Sequence, residues 1–169
     1  MERDDRDGVG AVTVLPEHEC WRLLRAQTHG RLAFTAADGR PDVRPVNHVV
    51  DGGSVVVRTH AGGSLPVPDR PRSGPQDLPV AFEVDGLEAA SGTDGPGHAW
   101  SVVLRGNAAP VEGLGGALDV GALPLAPFWA GAGHVVLRVT GTVSGRRLPL
   151  TDPARWRPGG AGQRGPVEG

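Results

Sequence analysis

Arginine, hydroxyl and glycine residues crowd into one short stretch in the first half of the chain. Arg58 and Thr59 end a run of valines, and Ser64 follows directly after the glycine-containing turn 61–63. Glycines leave backbone N–H groups unhindered, so such a turn can form a nest for an anion, and arginine adds charge-assisted hydrogen bonds. These residue types therefore predict a site for a phosphate or a similar anion.

A second polar group precedes the first by one predicted hairpin. It consists of Arg44, Pro45, Val46 and Asn47. We expect it to run beside Arg58 and Thr59 across a β-ladder, where side chains on neighbouring strands contact each other. Pro45 donates no backbone hydrogen bond, which places it at a sheet edge or a bulge, where a ligand can approach.

Two β-hairpins position both groups. Runs rich in β-branched residues predict strands at Arg31–Thr35, Asp42–Val50 and Ser54–Thr59, separated by glycine-containing turns at 37–39 and 51–53. Before them, Leu15–Gln27 is predicted to be a helix, with proline in the first turn and Gly30 beyond its end. Apolar residues spaced by three and four place Cys20 on its buried face.

The second half of the chain continues the β pattern. Strands are predicted at Pro79–Asp85 and Ala99–Ala108, the latter with a bulge at Gly106, and His134–Thr140 and Thr142–Leu148 are predicted to pair and close a barrel. Loops are predicted over 60–78 and 86–97. Strands do not alternate with long helices, so we expect a mainly β, antiparallel split β-barrel with a few short helices over residues 11–150. Residues 1–10 and 151–169 have the composition of disordered tails.

Composition narrows the class of protein. With 169 residues and 38% apolar content, the chain is expected to form one domain with its own core. A net charge of −2 and a pI near 6.3 argue against nucleic-acid or anionic membrane partners. The charged N-terminus does not resemble a signal peptide and no apolar run is long enough to span a bilayer, so we expect a cytoplasmic protein.

Cysteine and histidine usage argues against a metal centre. Cys20 is the single cysteine, which excludes an intramolecular disulfide and a cysteine-based zinc cluster. The chain has no HExxH motif and no histidine pair at helical spacing. Its six histidines are His18, His29, His48, His60, His98 and His134. His48 and His60 flank the predicted site, where they could titrate or serve as hydrogen-bonded structural residues.

Six ordered segments resemble the pyridoxamine 5'-phosphate oxidase-like proteins of actinobacterial type, the flavin-binding split barrels. They are GRLAFT (30–35), RPVN (44–47), RT (58–59), PVAFEVD (79–85), WSVVLRG (100–106) and GRRL (145–148). This resemblance implies a homodimer that binds flavin mononucleotide (FMN) at the subunit interface and performs two-electron redox chemistry on a small molecule. The protein's part would be to orient and tune the flavin, which carries the reactivity.

The resemblance also implies roles for individual residues. Arg44 to Asn47 would contact the isoalloxazine ring, Arg58, Thr59 and Ser64 would hold the ribityl phosphate, and Ser101 would add a hydrogen bond. Trp129 and the GRRL segment would reach across from the second subunit. Because Arg146 and Arg147 are adjacent on a predicted strand, at most one of them can face the cofactor, and Arg146 is our candidate.

Other interpretations stay open at this point. Arg58 and Thr59 could be solvent-facing strand residues, Asn47 could satisfy local backbone, and Ser101 could lie on the outward side of its strand. Many relatives continue after the glycine-rich turn with a lysine and a short helix. In this chain the prolines of 66–75 interrupt such a helix. Alternative functions are therefore a deazaflavin-dependent reductase and a non-catalytic flavin- or haem-binding protein.

Overall fold

The computed structural model describes residues 11–60, 78–88, 97–111 and 134–150. Within them the chain forms one helix and seven strands. The helix α1 spans Glu17–Ala26. The strands are β1 Thr13–Leu15, β2 His29–Thr35, β3 Pro41–Asp51, β4 Ser54–His60, β5 Leu78–Glu88, β6 His98–Pro110 and β7 His134–Pro149.

Six of the strands close into an antiparallel barrel. Around the ring, β2 pairs with β3, β3 with β4, β4 with β7, β7 with β6, β6 with β5, and β5 again with β2. Strand β1 attaches to the outer edge of β7. The predicted antiparallel β-barrel is confirmed, and so are the two hairpins, whose turns contain Gly39 at φ 82° and Gly52 at φ 59°.

The last strand differs from its prediction. Residues His134–Pro149 form one continuous strand of 16 residues, so the predicted pairing of 134–140 with 142–148 was wrong. Its first part pairs with β4, its C-terminal end pairs with β1, and from Leu137 onward it pairs with β6. A single long strand thus joins two sides of the barrel.

Gly106 and Gly141 face each other across β6 and β7, and neither marks an interruption. The register passes through both without a break, so the predicted bulge at Gly106 was wrong. A Cβ added to either glycine would lie 2.7 Å from the Cα of the other. Glycine is required here because the two backbones approach closely, and not because a turn or a bulge needs its conformational freedom.

The second predicted loop begins later than expected. Residues Gly86–Glu88 belong to β5, where Gly86 pairs with Trp100 and Glu88 pairs with His98. The remainder of that prediction, residues 89–96, lies outside the described residues, as do 1–10, 61–77, 112–133 and 151–169.

Alternation along the strands fills the barrel interior with apolar side chains, and α1 covers it. Cys20 and Leu24 of the helix are fully buried, which confirms the predicted buried face. The Cys20 Sγ lies 3.8 Å from the Leu15 carbonyl oxygen, and burial raises the pKa of the thiol, so Cys20 serves as a small core residue. The barrel core includes Leu32, Phe34, Val46, Val55, Val57, Phe82, Val84, Val102, Leu104, Leu137 and Val139.

His48 is part of this core, in agreement with the structural alternative for that residue. Its side chain is 3% exposed, its Nε2 lies 2.9 Å from the Leu24 carbonyl oxygen, and its ring packs 4.8 Å from that of Phe82. Burial lowers the pKa of His48. The neutral ring with its proton on Nε2 can donate to Leu24, so it joins the end of α1 to β3.

Glu19 of α1 forms one ion pair within the helix and another with the barrel. Arg22 donates two hydrogen bonds to Glu19, at 2.7 and 2.8 Å, and these contacts lower the pKa of Glu19 to about 2. Arg147 of β7 lies 3.3 Å from Glu19 and 3.1 Å from Glu88 of β5. One arginine therefore links the helix to two strands.

Candidate functional site

Asn47 and Arg58 are direct neighbours on the outer face of the barrel. They are register partners across β3 and β4. The adjacent residues Val46 and Val57 belong to the barrel core. Because successive strand residues alternate between faces, the side chains of Asn47 and Arg58 lie on the outside of the same sheet. The structure thus brings together one residue from each of the two predicted groups.

The Arg58 side chain is half-buried and differs from two other arginines of the outer face in its partners within the described residues. In the part of the chain that the structure describes, its buried Nε atom has no hydrogen-bond partner and no carboxylate pairs with the guanidinium. Arg31 and Arg138, which also lie on the outer face, bind Glu83 and Asp51 at 2.7 Å each. A half-buried guanidinium with an unsatisfied donor fits an anionic ligand.

An apolar cluster closes the site on the β7 side. Val56 lies on the outer face, two residues before Arg58, yet it is fully buried. Val49, Val111 and Val136 pack against it. Since Arg58 and Val136 are register partners, the guanidinium has an apolar neighbour on the β7 side and a polar neighbour, Asn47, on the β3 side.

The remaining residues of the two groups lie elsewhere on the strands. Val46 is 2% exposed and packs in the core, so only its backbone could contact a ligand. Thr59 follows Arg58 and lies on the opposite face. The Arg44 guanidinium carbon lies 5.5 Å from the centre of the Phe34 ring, a cation–π contact at one end of the barrel.

Pro45 occupies a position without a β4 neighbour. The His48 backbone N–H donates to the Thr28 carbonyl on the β2 side, so the odd-numbered residues of this part of β3 direct their backbone groups toward β4. The pairing of β3 with β4 ends at Asn47 and Arg58. Pro45 therefore lies beyond the end of the ladder, which confirms the predicted edge, and the unbroken pairing with β2 contains no bulge.

Ser101 and Arg146 form a second pair on the outer face. They are register partners across β6 and β7. Arg146 is exposed, and no carboxylate of the described residues pairs with it. Arg147 points to the opposite face, toward Glu19 and Glu88, so of these two adjacent arginines only Arg146 is available to an outer ligand.

The two pairs are far apart within one chain. Arg58 is opposite Val136 of β7, and Arg146 lies ten residues further along the same strand. At about 3.3 Å per residue this separation reaches roughly 30 Å along the strand. One copy of the barrel does not bring the predicted residues into a single site. Ser64 and Trp129 lie outside the described residues.

His29 is a neighbour of this site that the sequence did not indicate. It is the register partner of Asn47 on the β2 side, and its side chain is exposed. The predicted strand began at Arg31, two residues too late, so His29 was left outside the sheet. The signal that could have found it is the two-residue spacing of His29 and Arg31, which places both side chains on the outer face of a strand.

The described residues contain no group of three or more histidine, cysteine, aspartate or glutamate side chains that could hold a metal ion. The single helix in that part of the chain is too short and too polar to cross a membrane.

Comparison with known proteins identifies the family and the fold of the chain. A family model described as pyridoxamine 5'-phosphate oxidase matches residues 16–147. The chain is 39% identical over 101 residues to an uncharacterized protein of Mycobacterium tuberculosis, a match that spans 60% of this chain and 62% of that relative. The chain thus spans less than two thirds of the length of that relative.

Solved structures show the same fold. The FAD binding protein from Mycobacterium smegmatis is 29% identical with a TM-score of 0.61, covering 83% of this chain and 100% of that one. A FAD-binding protein from Mesorhizobium loti is 25% identical with a TM-score of 0.61, covering 83% and 98%. With a family model that matches most of its length, the chain belongs to the pyridoxamine 5'-phosphate oxidase family.

Proposed function

We propose that this protein binds a flavin nucleotide through Asn47 and Arg58 and uses it for two-electron redox chemistry on a small molecule. The observation that carries the proposal is the buried Nε of Arg58, which has no hydrogen-bond partner within the described ranges and lies beside Asn47 on the outer face. Two structural neighbours, at 29% and 25% identity, are FAD-binding proteins. These facts support a flavin; they also make FAD a candidate beside FMN.

Arg58 supplies what a flavin phosphate needs. A guanidinium donates several hydrogen bonds in a fixed plane and keeps its charge at any working pH. The surroundings of Arg58 are partly apolar because Val56 and Val136 lie beside it, which strengthens an ionic contact relative to one in open water. Asn47 presents an amide that can donate to and accept from the polar edge of the flavin ring.

We further propose that a second copy of the chain completes the site. The pair Ser101 and Arg146 has the same character as Asn47 and Arg58 but lies at the other end of β7. In a twofold dimer, the Ser101 face of one copy can meet the Arg58 face of the other, which forms two equivalent sites.

Exposed apolar residues surround Ser101 and Arg146, which supports contact with a second copy. Val14 is 75% exposed and is the register partner of Arg146. Leu148 of β7 is 40% exposed and Leu87 of β5 is 75% exposed. Each is a register partner of Ala99, on opposite sides of β6. Apolar side chains gathered on one face are typical of a protein interface.

When bound, a flavin supplies hydride and electron transfer itself. The chain's own residues then have three tasks, namely to hold the phosphate at Arg58, to orient the ring through Asn47, and to shield one side of the site with Val56 and its neighbours. Buried His48 donates to Leu24 and is not available as an acid or base. We assign no general acid or base to this site.

A binding titration tests the proposal. Purified protein is titrated with FMN and with FAD, and quenching of flavin fluorescence gives each Kd. We expect Arg58→Ala to weaken the preferred flavin by about tenfold or more, since hydrogen bonds to charged groups contribute about 1.5–3 kcal/mol. Arg25→Ala is the matched control, because Arg25 is exposed and its hydrogen bond within the described residues is a long one, 3.4 Å, to the Gly52 carbonyl.

The same titration separates the competing functions. Protein that binds neither FMN nor FAD, and whose melting temperature neither flavin raises, would rule out the proposal. Preference for a deazaflavin coenzyme over both flavins would favour the deazaflavin-dependent reductase. Binding of haem in place of flavin would favour the non-catalytic alternative.

A further inference from the structure

Three polar side chains form a row across three adjacent strands, which we call the polar row: His29 of β2, Asn47 of β3 and Arg58 of β4. His29 pairs with Asn47, and Asn47 pairs with Arg58. All three lie on the outer face, because the neighbouring Gly30, Val46 and Val57 are buried on the inner side. Adjacent strands are about 4.8 Å apart, so His29 and Arg58 are separated by roughly 10 Å.

Exposure increases along the polar row away from Arg58. Arg58 and Asn47 are half-buried, and His29 is exposed. The other end of the row meets apolar side chains. Val136 of β7 is the register partner of Arg58 and packs against the buried Val56. A ligand whose anion lies at Arg58 can extend over Asn47 toward the exposed His29.

We propose that His29 is a ligand-binding residue of this site and hydrogen-bonds the polar edge of the flavin ring. This inference rests on the proposed flavin function. The ribityl chain separates the phosphate from the ring, so a phosphate at Arg58 places the ring beyond it along the polar row. The carbonyl groups and ring nitrogens of the isoalloxazine accept hydrogen bonds, which an imidazole N–H can donate.

The local structure orients the imidazole for this role. The Thr28 hydroxyl lies 3.4 Å from His29 Nδ1. When that hydroxyl donates to Nδ1, the ring proton lies on Nε2, which is the nitrogen farther from the backbone. Pairing of β2 with β3 at this residue also fixes the position of the His29 backbone.

The test compares His29→Ala and His29→Gln with the wild-type protein in fluorescence titrations with FMN and FAD. We expect His29→Ala to weaken flavin binding by about fivefold, as for one hydrogen bond, and His29→Gln to recover most of the loss because its amide can still donate. His18→Ala is the control, since His18 is also exposed but lies on α1. The visible spectrum of bound flavin should change in His29→Ala and remain the same in the control.

A measurement on flavin-free protein shows whether the His29 substitutions act by destabilising the fold. The melting temperature of the flavin-free protein should be the same for the wild type and both His29 variants. Wild-type protein that binds flavin, together with an unchanged Kd and spectrum in His29→Ala, would overturn this inference alone. Wild-type protein that binds no flavin would overturn the proposed function and this inference together.

Discussion

Asn47 and Arg58 lie opposite each other across β3 and β4, on the outer face of the barrel. The two residues belong to separate sequence segments, each of which predicts a polar site. Their pairing places an amide beside a half-buried guanidinium whose Nε has no partner among the described residues. This arrangement is the basis for the binding site that we propose.

Placing a negative charge at residue 47 should block the anion site. In Asn47→Asp, the new carboxylate lies one strand spacing from Arg58 and can pair with its guanidinium. It then competes with the phosphate, so we expect flavin binding to fall by more than tenfold. Asn47→Ala adds no negative charge beside Arg58 and should lose less affinity. Equal affinities of the two variants for flavin would contradict the role of Arg58 as the phosphate ligand.

The glycine pair of β6 and β7 is expected to be essential for stability. In Gly106→Ala, the added Cβ meets backbone atoms of Thr140 and Gly141, which cannot rotate away as a side chain could. We predict a loss of about 2 kcal/mol, or roughly 4–8 °C in melting temperature. Gly53→Ala is the control, since a Cβ there has no neighbour within 4 Å. An unchanged melting temperature in Gly106→Ala would show that β6 and β7 can shift to accommodate the added Cβ at no cost in stability.

Adjacent arginines on β7 should have different functions. Arg147→Met removes the links to Glu19 and Glu88 and is predicted to lower stability by about 1 kcal/mol. Arg146→Met removes no ion pair in the described part of the chain, so its melting temperature should not change, while its affinity for flavin should fall. Melting curves and flavin titrations on both variants make the comparison. A reversed result would place Arg147, and not Arg146, in the binding site.

Stability should decrease below neutral pH because of His48. Burial lowers the pKa of this imidazole in the folded protein, so the unfolded chain takes up the proton first as the pH falls through about 6.5. The contribution is present above that pH and is lost as the pH falls toward the lower pKa of the folded state. Denaturant unfolding at pH 7.5 and 5.5 measures it.

The matched variant for that experiment is His48→Gln. Its amide can still donate to the Leu24 carbonyl but does not titrate in this range. We expect its stability to depend less on pH between 7.5 and 5.5 than that of the wild type. The same pH dependence in both proteins would contradict the assignment of this effect to His48.

Local sequence signals were sufficient to predict the hairpins and the helix. Alternating apolar residues and positive-φ glycines specify β2 to β4, and helical spacing specifies the buried face of α1. Gly106 and Gly141 were misinterpreted, because a glycine that permits close backbone approach looks the same in sequence as one that ends a strand. That distinction depends on which strands pair, which is a property of the whole barrel.

The site was predictable only in part, for a related reason. The face on which Asn47 and Arg58 lie follows from alternation, but their pairing depends on register. His29 joins them only because β2 begins two residues earlier than its propensities indicate. The distance between Arg58 and Arg146 depends on the continuity of β7, which the sequence pattern appeared to interrupt at Gly141.

The central claim is that Arg58 of one copy and Arg146 of another form one flavin site. Mixing two variants tests this shared site directly. Arg58→Ala and Arg146→Ala are each expected to bind flavin weakly. After the two are unfolded together and refolded, a mixed dimer holds one intact site, so about a quarter of all sites should regain wild-type affinity in a flavin titration. A mixture that binds no better than its two separate components would contradict a site shared between copies.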